Sequence, residues 1–172
     1  MAGMDSSGNF KYIGIVIGDI SAIKRLYKRL KNKYQKLHMR DLYASKRRGL
    51  ARDFRIEASR LGVESLRIKV NLSEVVRELW EEVKRKGSRR SKRAVYRLAL
   101  KELESLLYNI LISRKVNSVY IDRELQCLEF RGLKIILEGE ASELADVVAH
   151  RVTRVVEIDL SDYLYKILLK KL

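Results

Sequence analysis

Three aspartates differ in setting from the other acids of this chain. Most Asp and Glu residues, among them Glu78, Glu81, Glu82, Glu102 and Glu104, lie beside Lys and Arg on what read as solvated helix faces, where charge pairs do little. Asp5 instead ends a short first segment at a tight turn. Asp122 follows Val119-Tyr120-Ile121, at the C-terminal end of a predicted strand. Asp146 interrupts an apolar helical stretch, Leu144-Ala145-Asp146-Val147-Val148-Ala149. A lone buried carboxylate costs roughly several kcal/mol unless a cation or a donor compensates it. For Asp146, about one turn into its predicted helix, the helix N-terminus is one compensator; a Lys or Arg is another, and a metal ion a third. Hard cations such as Mg²⁺ or Mn²⁺ bind carboxylate oxygens and keep several waters. Two of them about 4 Å apart can activate a water and stabilise the leaving oxygen of a phosphodiester. Acids from separate elements, meeting at strand ends, would supply such a site.

Other chemistries find little support. The chain has two His and one Cys, which excludes an internal disulfide and a Cys-based zinc cage. Cys127, between Leu125 and Leu128, reads as a buried structural thiol. There is no Walker-type glycine loop and no dinucleotide fingerprint.

The elements that must position the three acids can be read from periodicity. A stub over residues 1–8 and a strand over Phe10–Gly18, joined by Ser-Gly-Asn, predict a hairpin, with Gly3 weakening the first strand. Helices follow at 21–34 and at 45–61, the latter capped by Ser45. An alternating, half-exposed strand is expected over 65–72, with Leu66, Ile68 and Val70 inward and Arg67 and Lys69 outward. Ser73 caps a helix to about residue 86. A long helix spans 91–114, short strands 116–122 and 128–130, and a buried-type strand 133–138. A helix over 142–154 and an amphipathic helix over 161–172 close the chain. That order predicts an α/β fold in one domain, residues 1–172, with helices around a mixed sheet.

Lys and Arg number 37 against 22 acids, a net charge of +15 over 172 residues. So large an excess points to a polyanionic partner, since each neutralised phosphate releases counterions. An anionic membrane surface and heat adaptation are the other readings of the charge. Heat adaptation, which fits the single Cys and only Gln35 and Gln126, predicts mixed-sign networks rather than an excess of one sign. Candidate nucleic-acid-binding residues are Arg25, Lys28 and Arg29, together with Lys86, Arg89, Arg90, Arg93 and Arg97; Tyr43 or Tyr96 could stack on an unpaired base. No apolar run is long enough to cross a bilayer and the start shows no secretory leader, so the expected location is cytoplasmic, without a membrane partner. The apolar stripe of 161–172 offers a surface for a homodimer.

Five stretches carry a family resemblance. Asp5-Ser6-Ser7-Gly8 resembles the Asp-Glu-Ser-Gly motif of a broad RNase H-like family, domain of unknown function 3800. Tyr12–Ile17 resembles its following hairpin strand, and Leu37-His38-Met39 its Glu-Leu-His stretch. Val119-Tyr120-Ile121-Asp122-Arg123 is similar to its strand ending in Ile-Asp-Arg. Glu143-Leu144-Ala145-Asp146-Val147-Val148-Ala149 is similar to its closing Gln-Leu-Ala-Asp-Leu-Val-Ala. The resemblance implies an RNase H-like mixed sheet flanked by helices, with a helical insertion after the first hairpin. It implies Mg²⁺- or Mn²⁺-dependent cleavage of RNA or DNA, with Asp5, Asp122 and Asp146 as catalytic metal ligands and His38 as a catalytic neighbour. Two departures stand out: Ser6 replaces the motif's Glu, and Lys36 replaces the acid expected two residues before the His. Asp41 and Glu143 are the spare acids. Without a further acid, the alternative is a basic nucleic-acid-binding protein on a degenerate RNase H-like scaffold.

Overall fold

The structure, a computed structural model, describes residues 1–8, 10–150 and 156–172. Strand β1 (Ala2–Ser7) and strand β2 (Tyr12–Ile17) form the expected hairpin, in a register that sets Asp5 opposite Gly14. Helices α1 (Ile20–Tyr34) and α2 (Ala44–Arg60) follow, separated by a 3-10 turn at Met39–Asp41. Then come β3 (Glu64–Lys69), α3 (Leu72–Arg85), α4 (Lys92–Ser113), β4 (Ser118–Ile121), a 3-10 turn at Arg123–Leu125, β5 (Lys134–Leu137), α5 (Glu140–Ala149), β6 (Val156–Asp159) and α6 (Ser161–Lys171). The sheet order is β5-β4-β1-β2-β3-β6. Strand β2 is antiparallel to both β1 and β3; the pairs β1–β4, β4–β5 and β3–β6 are parallel. The architecture is the predicted α/β one, a mixed sheet between helices, with α1 and α2 inserted after the first hairpin.

Alternation along the central strands separates two cores. Ala2 and Met4 of β1, with Ile13, Ile15 and Ile17 of β2, pack against buried residues of α3, α4 and α6. The opposite face is covered by α5, and beyond it by α1 and α2. Here β1 and β2 present glycines. A Cβ on Gly3 would lie 2.0 Å from the Ala141 carbonyl oxygen, and one on Gly14 would lie 2.2 Å from that of Ala145. Both glycines let α5 rest directly on the strand backbones. Gly3, expected to weaken β1, is therefore what permits the central helix contact.

Several local expectations are corrected. Ser45 and Ser73 do not cap: α2 starts at Ala44 and α3 at Leu72. Ser91 does cap α4, accepting from the Ala94 amide at 3.2 Å. Residues 128–130 form no strand. Strand β5 is an edge strand with Ile135 and Leu137 exposed, not a buried one. Arg67 points inward rather than outward: it is buried, stacks 3.7 Å from the Tyr12 ring centroid, and donates to the Ala149 carbonyl and to Glu157. Strand β6 went unread; it pairs with β3 so that Arg67 meets Glu157 and Lys69 meets Asp159, opposite charges side by side on neighbouring strands. Cys127 is exposed. The predicted helix over 142–154 begins earlier, at Glu140; its residues 151–154 lie outside the described residues. In α6, Leu164 and Leu168 are buried in the core shared with α3 and α4, which occupies the stripe that offered a dimer surface. Among the described residues no helix is long and apolar enough to cross a membrane.

Candidate metal centre

The parallel register of β1 and β4 places the first two acids. Met4 pairs with Ile121, and the Asp122 amide donates to the Met4 carbonyl at 3.2 Å. Asp5 and Asp122 are thus the next residues along two adjacent strands, at the same end of the sheet. Asp5 is buried; one of its oxygens accepts from the Ser6 amide at 2.7 Å.

Asp146 arrives on α5, which the glycines seat over β1 and β2. It is the seventh residue of a ten-residue helix, so the helix N-terminus is not its compensator. Its donors come instead from the segment after α1. Leu37 and Met39 are buried and anchor that segment, and the intervening His38 meets Asp146. The Met39 amide donates to Asp146 Oδ2 at 2.8 Å, and His38 Nδ1 lies 2.8 Å from the same oxygen. His150, one turn after Asp146, has its Nδ1 2.8 Å from Oδ1. That ring nitrogen is also 3.2 Å from the Asp146 main-chain carbonyl, and this is the contact with hydrogen-bond geometry. Oδ1 therefore has charge proximity to His150 but no hydrogen-bond partner, although the side chain is only 3% exposed.

These surroundings split the two buried carboxyls. Burial, then the Asp146 and Asp122 charges and a hydrogen bond shared with Asp146, push Asp5 up to about 9. Burial acts on Asp146 in the same direction, but the His150 ring, the Met39 amide and the charge of His38 outweigh it and bring Asp146 down to about 2. Asp5 is thereby pushed toward its protonated form and Asp146 toward its ionised one. His150 is raised, chiefly by its contact with Asp146.

Two observations suit a divalent ion here. The Oδ1 of Asp146 is buried with only the His150 ring beside it, at 2.8 Å and outside hydrogen-bond geometry, and two adjacent carboxylates require a proton or a cation between them. Against this, among the described residues no three or more His, Cys, Asp or Glu side chains are gathered around one point. One oxygen of each carboxyl, Asp5 Oδ1 and Asp146 Oδ2, already accepts from a main-chain amide. The spare acids do not fill the gap. Glu143 faces α1, accepting from the Tyr27 hydroxyl at 3.1 Å and pairing with Lys31 at 3.2 Å. Asp41 is exposed on the 3-10 turn. His150, which four residues past Asp146 on the same predicted helix reads as a structural or surface residue, instead lies against the Asp146 carboxyl. Glu124 is not singled out by its sequence setting.

The candidate nucleic-acid residues fall on two sides of the sheet. Arg25, Lys28 and Arg29 are exposed on α1, where Arg29 pairs with Glu57. Lys86, Arg89, Arg90, Arg93 and Arg97 are exposed on the α3–α4 connection and on α4, across the sheet. Tyr96, between the last two, lines a depression with Phe10, Ser73 and Glu124; the hairpin and the β4 end both reach it. The segment carrying His38 adds Lys36, Arg40 and Lys46, and Tyr43, 81% exposed.

No protein-family model and no curated protein matches the chain. A solved structure does: the RNase HII in the PCNA:RNase HII complex from Archaeoglobus fulgidus aligns over 87% of this chain and 70% of its own, with a TM-score of 0.50 and 16% identity. At that identity the likeness speaks for the fold, which is RNase H-like.

Proposed function

We propose that this chain is a metal-dependent nuclease that hydrolyses phosphodiester bonds in RNA or DNA. The observation that carries the reading is the meeting of Asp5 and Asp146, two buried carboxylates from separate elements, with Asp122 in the adjacent register at the same end of an RNase H-like sheet. Asp5, Asp122 and Asp146 would hold Mg²⁺ or Mn²⁺, which supplies an activated water and stabilises the leaving oxygen. The chain's own residues do the rest. His38 and the Met39 amide fix the Asp146 carboxylate, and His38, whose side chain is 54% exposed, remains open to a substrate as a proton donor or a water-orienting group. The basic residues of α4 and of the 36–46 segment bind the phosphate backbone, giving affinity without sequence choice. The kinship with domain of unknown function 3800, a single-domain organisation, a cytoplasmic location and heat adaptation belong to the same proposal.

A second reading is favoured by one observation: among the described residues no three His, Cys, Asp or Glu side chains are gathered where they could hold a metal ion. On that reading the chain binds nucleic acid without cutting it. Labelled single- and double-stranded RNA and DNA, incubated with Mg²⁺, Mn²⁺ or a chelator, separate the two. The nuclease reading expects cutting that the chelator stops and that Asp122→Asn and Asp146→Asn lose while still binding. Cutting by both variants removes these residues from the chemistry; binding without cutting under every metal establishes the second reading.

A further inference from the structure

One row across the sheet runs from Asp5 through Gly14 and Arg67 to Glu157. Gly14 has no side chain, so Arg67 is the next side chain after Asp5 on the face toward α5, two strands and roughly 10 Å away. Its guanidinium is buried, and a buried cation is costly to desolvate. Three contacts fix it. Its face lies 3.7 Å from the Tyr12 ring centroid, Nε donates to the Ala149 carbonyl at 3.2 Å, and Nη1 donates to Glu157 at 2.7 Å. The Ser7 hydroxyl donates to the same Ala149 carbonyl at 3.2 Å, so the end of α5 has a partner without the arginine. A guanidinium carries five N–H donors, and these contacts use two of them.

Arg67 is held at the wall of a cavity of about 540 Å³ beside the hairpin turn, lined also by Ser7, Lys11, Tyr12, His150 and Glu157. Lys11 is exposed, with its Nζ 5.8 Å from the Tyr12 ring centroid. Two cations thus face one carboxylate, and that carboxylate is 46% exposed and screened by water. The balance favours an anion. A planar fork held rigid, beside an ammonium on a flexible stem, suits the oxygens of a phosphate. His150 also touches Asp146, so the cavity adjoins the candidate site.

We propose that this cavity is a phosphate-binding subsite for a nucleic-acid strand, in which Arg67 supplies fixed donors and Lys11 supplies charge from the hairpin. At about 3.4 Å per nucleotide of a helical strand, the bound phosphate lies within about three nucleotides of the aspartates. The inference rests on the nucleic-acid part of the reading above and holds whether or not the strand is cut. The subsite fixes the strand against the sheet without reading its bases, and its chemistry accepts an internal phosphodiester or a terminal phosphate.

Binding by the full-length chain in chelator, where the proposed cutting is off, tests this. The probes are inorganic phosphate and single-stranded oligonucleotides with and without a 5′-phosphate. Both kinds of probe should shift the NMR signals of the Lys11 and Tyr12 amides and of the Arg67 Nε–H. Lys11→Gln should lower the slope of log affinity against log salt by about 0.7 and leave the melting temperature unchanged. Arg67→Lys keeps the charge and loses the fork, and should weaken oligonucleotide binding about tenfold or more; its melting curve shows whether it is folded. Glu157→Gln removes the opposing charge and should tighten binding. Extra affinity from a 5′-phosphate assigns the cavity to a strand end, and equal affinity assigns it to an internal phosphate. Signals that stay in place when the oligonucleotide binds, or Lys11→Gln with the wild-type slope, overturn the proposal. A confirmed subsite without cutting under any metal removes the nuclease reading alone. Cutting with an unperturbed cavity removes the subsite alone, and a folded chain that binds no nucleic acid removes both.

Discussion

The two faces of the sheet are built on different principles. Toward α3, α4 and α6, the strands present Ala2, Met4, Ile13, Ile15, Ile17, Leu66 and Ile68, all buried, and the helices stand off at side-chain distance. Toward α5, β1 and β2 present Gly3, Asp5, Ser7 and Gly14, and the helix lies on the backbone. The first face stabilises by apolar burial. The second gives up part of that burial, and the closeness it gains is what brings the Asp146 carboxylate to Asp5. A carboxylate pair of this kind needs a rigid seat, because its geometry has to be held to a fraction of an ångström.

The comparison can be broken first at its chemical end. On the proposed function, Asp146→Asn should lower cleavage about a hundred- to a thousand-fold, the scale for losing one preorganised charge-stabilising group, while Leu103→Ala, on the apolar face, should leave the rate of the folded fraction unchanged. Equal losses of rate in the two variants would mean that the α5 face has no special role. Next comes the packing itself. Gly14→Ala adds a single methyl, yet it should cost about 1–3 kcal/mol or more, a fall of several degrees in melting temperature, because the atoms it meets are backbone. On the other face a similar loss requires removing most of a side chain, as in Leu103→Ala, at about 2–5 kcal/mol. A neutral Gly14→Ala would show that α5 does not rest on β2 as described.

A smaller effect should appear with pH. Asp5 is raised from 3.8 to about 9, so between those values the folded, metal-free chain keeps a proton that the unfolded chain has released. Stability must then fall as pH rises across that window. Asp146, lowered from 3.8 to about 2, acts in the opposite sense: its contribution is present above the ordinary value and is lost as pH falls toward 2. Thermal melts of the metal-free protein should show a decline toward pH 9 that Asp5→Asn flattens and Leu103→Ala leaves intact. Metal binding, which displaces the proton from Asp5, should tighten as pH rises through the same range. The smallest effect belongs to the surface. Replacing Arg93 or Arg97 by Ala should reduce the slope of log affinity for nucleic acid against log salt by about 0.9 for each lost phosphate contact. The same change at Arg29, already paired with Glu57, should alter the slope less, and equal slopes would put both surfaces on the nucleic acid.

Much of the frame was legible in the residues. The 3.6-residue periodicity of α1, α3 and α4 and the Ser-Gly turn of the first hairpin are local signals, and local backbone physics decides them. The singular settings of Asp5, Asp122 and Asp146 were also visible, because a charge at a strand end or inside an apolar helical stretch stands out in one dimension. Other features depended on contacts between distant segments. Strand β6 was not legible, since Val156–Asp159 becomes a strand only by lying beside the charges of β3. Arg67 read as an outward residue until Tyr12, Ala149 and Glu157 closed around it. Gly3 read as a weakness until α5 was placed on it.

By itself the sequence determined most of the element types, the α/β class, the large positive charge and three acids in unusual settings, because each depends on residue identity and on neighbours within a few positions. Only the tertiary structure decided that Asp5 and Asp122 stand in adjacent register and that Met39 and His38 rather than a helix end compensate Asp146. Those facts depend on which strands pair and on how closely one helix can approach the sheet, and the contact that settles the second spans 107 residues between Met39 and Asp146.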